Sequence, residues 1–134
     1  MKQFFAAFLL VVGLVGPAQA QDGDAIQAVI ADQLSDFVAR DVDGAWKHAS
    51  PFIQGMFGNP QNFGAMVERG YPMVWDNSDV RFGELREIAG NLWQRVMVRD
   101  AAGNLHSLDY QMIETPEGWQ INAVQLLPPS DIGV

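Results

Sequence analysis

The chain has 134 residues, sixteen acidic against eight basic side chains for a net charge of −8, and no cysteine. That length suits one domain with one core, and the missing cysteines exclude disulfides, cysteine-linked lipid and thiolate catalysis. The acid excess, with no basic patch, opposes binding to nucleic acid and to anionic membrane surfaces.

Residues 1–20, MKQFFAAFLLVVGLVGPAQA, contain Lys2, an apolar run from Phe4 to Val15 and small residues ending in Ala18-Gln19-Ala20. These are the three parts of a secretory signal. The run is shorter than the roughly 20 apolar residues a membrane-spanning helix needs, and Gly16-Pro17 interrupts it. Cleavage after Ala20 and a periplasmic or secreted product are therefore expected, with no membrane attachment afterwards. Cleavage removes Lys2 and no acid, which takes the charge from −8 to −9 and leaves residues 21–134 as a single domain.

Asp24 precedes an apolar series at Ile26, Val29, Ile30, Leu34, Phe37 and Val38, spaced by threes and fours, which predicts an amphipathic helix ending near Arg40. Asp24 and Gln27 have the spacing of a capping box. In the stretch RDVDGAWKHASP, Asp41 and Asp43 fall where that helix stops and a second one, carrying Ala45, Trp46 and Ala49, begins. Either carboxylate can cap it; the glycine and glutamate of a calcium loop do not follow. Ser50-Pro51 and Asn59-Pro60 each read as a cap followed by proline at the first helical position. The second of these opens a helix over about Gln61 to Arg69, with Phe63, Met66 and Val67 as its apolar stripe and Gly70 as its stop.

From Tyr71 the period changes to two. Strands are expected at Val80–Ile88, Asn91–Arg99, Leu105–Glu114 and Trp119–Leu126, with a short one at Met73–Trp75. The turns Ala89-Gly90, Asp100–Asn104 and Thr115–Gly118 each contain a residue suited to positive φ. If Asp100 closes on Asn104 and Glu114 on Trp119, the register follows. One face then collects Leu92, Gln94, Val96, Val98, His106, Leu108, Tyr110, Met112, Trp119, Ile121 and Ala123. The other collects Trp93, Arg95, Met97, Arg99, Asp109, Gln111, Asn122 and Val124, with Arg95 opposite Asp109 as a favourable pair.

Helices first and an antiparallel sheet after them make an α+β domain. The first helix followed by Asp41-Val42-Asp43-Gly44-Ala45-Trp46, the Tyr71-Pro72 step and the final Gly118-Trp119-Gln120-Ile121 strand resemble the NTF2-like superfamily. Ala49-Ser50-Pro51-Phe52-Ile53-Gln54, Phe57-Gly58-Asn59-Pro60, Met66-Val67 and Tyr71-Pro72 more closely resemble DUF4864, a bacterial family of that fold with no assigned activity. The resemblance implies a cone of N-terminal helices packed in a curved sheet of about four strands. Its open end would be a small-molecule pocket, used for isomerase, cyclase or dehydratase chemistry in some members of the superfamily and for binding or assembly in others.

The motifs of nucleophile elbows, phosphate loops, dinucleotide folds and zinc proteases are absent. His48 and His106 lack a carboxylate at ligand spacing, so no metal and no cofactor are expected. His48 reads as a helix-end residue facing terminal carbonyls, and His106 as a solvated strand end. Gln94 and Tyr110 face each other on the apolar side, where polar groups need partners or a ligand. With Tyr71 and Trp75 at the rim they are the pocket candidates. No residue is singled out as catalytic. Asp109 turns toward Arg95, which leaves Asp76 as the nearest candidate base. The expected function is a non-catalytic module binding a small hydrophobic or polar ligand or another protein; the alternative is a cofactor-free isomerase or dehydratase. On the outer sheet face Trp93, Arg95 and Met97 suggest a homodimer interface. Otherwise the tail Pro128–Val134 would cover Trp93.

Overall fold

The computed structural model describes the backbone of residues 2–128 and the side chains of residues 20–128. Among the described residues five helices come first, α1 (Lys2–Val38), α2 (Val42–Lys47), α3 (Pro51–Phe57), α4 (Pro60–Gly70) and α5 (Pro72–Trp75). Four strands follow, β1 (Asp79–Ile88), β2 (Asn91–Arg99), β3 (Leu105–Thr115) and β4 (Gly118–Leu126), in an open antiparallel sheet of order β1-β2-β3-β4. The fold is thus α+β.

The apolar spacing of α1 buries Ile26, Ile30, Leu34 and Phe37 against the sheet residues Val96, Val98, Leu108, Tyr110, Met112 and Ile121, which form the core. Val38, expected in the same stripe, is exposed. Asp24 is not a cap: α1 runs on through it toward the N-terminus, so the amides that follow it have helical partners. The helix ends at Val38, and Arg40 in the turn after it takes a left-handed φ of 59° where glycine is the usual choice. Its side chain offsets that strain. The guanidinium donates to the carbonyls of Phe37 and Trp75 at 3.0 and 2.8 Å, pairs with Asp76 and lies 4.4 Å from the centre of the Trp75 ring.

Asp41 is the cap of α2, accepting from the Gly44 amide at 3.0 Å, while Asp43 lies within the first turn. Ser50 and Asn59 cap α3 and α4, each followed by proline. Met73–Trp75 is helical, not a strand, because Pro72 takes the first helical position and the Tyr71 carbonyl accepts the amides of Val74 and Trp75.

Two β-bulges interrupt the alternation. Gly83 and Glu84 of β1 together oppose the single residue Arg95, and Asn122 is the extra residue of β4 between Ile121 and Ala123. The β2–β3 register runs as the pattern requires, with Gln94 opposite Tyr110 and Arg95 opposite Asp109. Beyond Asn122 the β3–β4 register slips by one residue. Val124, expected on the outer face, therefore pairs with Tyr110 and packs on the core, and Ala123 pairs with Gln111. The free edge of β4 is partly covered by the segment between α2 and α3: Ser50 donates its amide to the Ile121 carbonyl, and the Ile121 amide donates to the His48 carbonyl.

Candidate functional site

A cavity of about 300 Å³ lies between α1, α3 and α4 and the helix-facing side of β3 and β4. Its walls are apolar, from Phe37, Ile53, Phe57, Phe63, Met66, Val67, Val74, Ile121, Ala123 and Val124. Phe63 joins three of the surrounding aromatics, with ring centres 5.9 Å from Phe37, 5.7 Å from Trp46 and 6.0 Å from Phe57. Phe52 and Met56 of α3 also line the cavity, yet they are 65% and 57% exposed. They mark its mouth. Neither was singled out in the sequence, although α3 has apolar residues at 52, 53, 56 and 57, more than one face of a seven-residue helix can bury.

Among the described residues four polar side chains reach this cavity: Gln33, Tyr71, Tyr110 and Asn122. Gln33 donates to the Ala45 carbonyl at 3.0 Å, and the Tyr71 hydroxyl to the Val124 carbonyl at 3.3 Å. Asn122, re-aimed by its bulge, accepts from the Ser50 hydroxyl at 2.8 Å and donates to Gln111 at 2.7 Å. Tyr110 is 1% exposed and its hydroxyl makes no hydrogen bond among the described residues, yet it is not fully enclosed: the enclosed side-chain atoms without a partner there are Gln94 Oε1 and Gln120 Oε1. Burial, with the nearby Tyr71 phenol as the lesser cause, raises the Tyr110 pKa and keeps the phenol protonated.

Tyr71 and Tyr110 thus meet in one cavity, whereas Gln94 and Trp75 lie elsewhere. Gln94 faces the β1 bulge and donates to the carbonyls of Gly83 and Arg95, both at 2.9 Å. A Cβ at Gly83 would stand 3.0 Å from the Cγ and 3.1 Å from the Cβ of Arg95, so a larger residue there would have to displace the Arg95 side chain by a few tenths of an ångström. Trp75 packs on Phe37 at 6.0 Å beneath the Arg40 guanidinium. On the outer face, Arg95 donates to Asp109 at 3.1 Å. Arg86, which pattern reading passed over, makes a two-pronged contact with the same carboxylate at 2.7 and 2.9 Å. Trp93 and Met97 beside them are half-buried; residues 129–134 of the tail expected over Trp93 lie outside the described residues.

His48 does not serve terminal carbonyls. It sits 2.7 Å from Asp32 and 4.0 Å from Asp36, both on α1, because α2 folds back along that helix. These two acids, four apart on α1, and His48 have donor atoms within 4.8 Å of one another, the set that could hold a cation. The contact at 2.7 Å is a direct hydrogen bond. Burial, followed by Asp32 and Asp41, raises the Asp36 carboxyl. His106 is held by Asp100 at 2.9 Å, the residue whose other oxygen accepts the Ala102 and Asn104 amides of its turn. A second recess, about 650 Å³, passes His48 and Trp119, but several of its walls, including Lys47 and Glu117, are exposed surface.

Among the described residues, no helix is long and apolar enough to cross a membrane. No curated protein and no solved structure matches the chain. A family model described as a domain of unknown function, DUF4864, matches residues 19–134, and with nearly the whole sequence inside that match the chain belongs to the DUF4864 family.

Proposed function

We propose that this protein is an exported, non-catalytic module of the NTF2-like type, whose cavity at the open end of the cone binds a small hydrophobic molecule. The observation that carries this reading is the mouth. Two large apolar side chains, Phe52 and Met56, stand in solvent beside an apolar cavity at the lower end of the roughly 300 to 1,000 Å³ typical of ligand sites. Cleavage after Ala20 belongs to the same reading and rests on the signal-like composition of residues 1–20. Binding is preferred to isomerase or dehydratase chemistry because, among the described residues, the lining holds no carboxylate and no imidazole to act as base. Asp109 is committed to two arginines on the other face and Asp76 to Arg40.

The purified protein is expected to bind the uncharged dye Nile red with a blue shift in emission and a rise in melting temperature, as any ligand of the folded state alone must produce. Phe52→Ser should weaken that binding several-fold without changing the melting of the free protein, since the side chain is already solvated. Absence of dye binding at micromolar protein would refute the cavity reading. A homodimer through the outer sheet face, centred on Trp93 and Met97, is the protein-partner form of the proposal; sedimentation velocity of the wild type against Trp93→Glu tests it.

A further inference from the structure

The lining of the cavity also constrains the charge of what it takes. Among the described residues, no lining side chain is ionisable near neutral pH. An anionic head group such as a fatty-acid carboxylate would be desolvated there with no cation to meet it, at a heavy cost in affinity. The chain as a whole carries −8, so its long-range field also repels anions. A cation would find favourable field outside but no carboxylate inside.

The polar groups narrow the choice further. The Tyr71 hydroxyl has its hydrogen on the Val124 carbonyl. Asn122 has donor and acceptor committed to Gln111 and Ser50, and the Gln33 amide donates to Ala45. Asn122 and Gln33 each keep one further amide hydrogen, and the Tyr110 hydroxyl is the polar lining group that makes no hydrogen bond among the described residues. It is nearly inaccessible, lines the cavity and has no partner among the described residues. A hydroxyl so nearly buried meets little water, and a ligand acceptor placed against it would supply the hydrogen bond it lacks.

Resting on the cavity reading above, we infer that the ligand is an uncharged molecule with an apolar body and a hydrogen-bond acceptor oxygen, a carbonyl or ether, placed against the Tyr110 hydroxyl. The burial of this phenol acts in the same direction, since a phenol that stays protonated remains a donor.

Three probes of equal carbon number separate the possibilities: octane, methyl hexyl ketone and octanoate, each competed against Nile red at pH 7. The ketone is expected to bind best and octanoate at least about tenfold more weakly than the ketone. Tyr110→Phe should lower ketone affinity by about fivefold, the worth of one hydrogen bond, and leave octane affinity unchanged. Octane binding then serves as the control that the cavity has survived. Should Tyr110→Phe fail to fold, the ketone-to-octanoate ratio of the wild type decides the matter alone. Octanoate binding as well as the ketone, or equal loss of ketone and octane in Tyr110→Phe, overturns the inference while leaving the cavity reading intact. Failure of all three probes and of Nile red overturns the cavity reading itself. Probe binding that weakens as the protein is concentrated into a dimer would show a second copy in the mouth, and would overturn both.

Discussion

Replacing Asp109 by asparagine tests how the outer face of the sheet is held. The carboxylate is 6% exposed and receives three charge-assisted hydrogen bonds, two from Arg86 and one from Arg95, between 2.7 and 3.1 Å. The amide would keep one acceptor oxygen but leave two guanidiniums without a counter-charge. Breaking a buried pair from one side costs about 3 to 5 kcal/mol. Both arginines retain some contact with water, so the lower figure of about 3 kcal/mol applies, equivalent to about 10 °C in melting temperature for a domain of this size. Urea denaturation at pH 7 measures it directly. The pH dependence has a definite sign. Hydrogen bonding by Arg86, ahead of the opposing effect of burial, lowers the Asp109 pKa in the folded state. Its contribution is therefore complete above the unfolded carboxylate value of about 4 and is lost as pH falls through the folded value. The gap between wild type and Asp109→Asn should be constant from about pH 5 to 7 and should close below about pH 4. A variant within about 0.5 kcal/mol of wild type at pH 7, or a gap that persists at low pH, would refute the account.

Asp41→Ala should cost about 1 kcal/mol of stability through the lost cap on the Gly44 amide, whereas Asp43→Ala, with only a first-turn charge to lose, should cost a few tenths; equal effects in thermal melts would contradict the capping assignment. Gln94→Leu should destabilise by about 1 to 2 kcal/mol, because the Gly83 and Arg95 carbonyls lose their donor at the bulge. It should leave Nile red affinity unchanged, and a change in affinity would return Gln94 to the binding site.

Regular periodicity carried most of this fold. The α1 stripe of Ile26, Ile30, Leu34 and Phe37 is spaced for one buried face, and the proline-led caps at Ser50 and Asn59 announce their helices in two residues each. Arg95 opposite Asp109 follows from a turn length and a charge pair. What pattern could not supply was any contact between elements distant in sequence. His48 meets Asp32 only once α2 folds back on α1, and Arg86 of β1 meets Asp109 of β3 only across the intervening strand β2. Met73–Trp75 misled for a local reason: three apolar residues are too short a sample to distinguish period two from a single helical turn, and Pro72 was the deciding signal.

The two bulges explain why the candidate site was only half legible. Strict alternation puts Gln94 and Tyr110 on the same face, and that is correct, but it does not say what each polar group meets. The extra residue in β1 exposes two carbonyls that the Gln94 amide fills, which converts an apparent pocket residue into a structural one. The extra residue in β4 has the opposite effect. It turns Asn122 toward Ser50 and brings Val124 inward beside Tyr110, so residues that alternation assigns to the outer face become walls of the cavity. It also places the Val124 carbonyl where it takes the Tyr71 hydroxyl's hydrogen, so that Tyr110 is the polar lining group with no hydrogen bond among the described residues. One inserted residue in an edge strand thus determines both the shape of the cavity and the hydrogen-bonding group it offers.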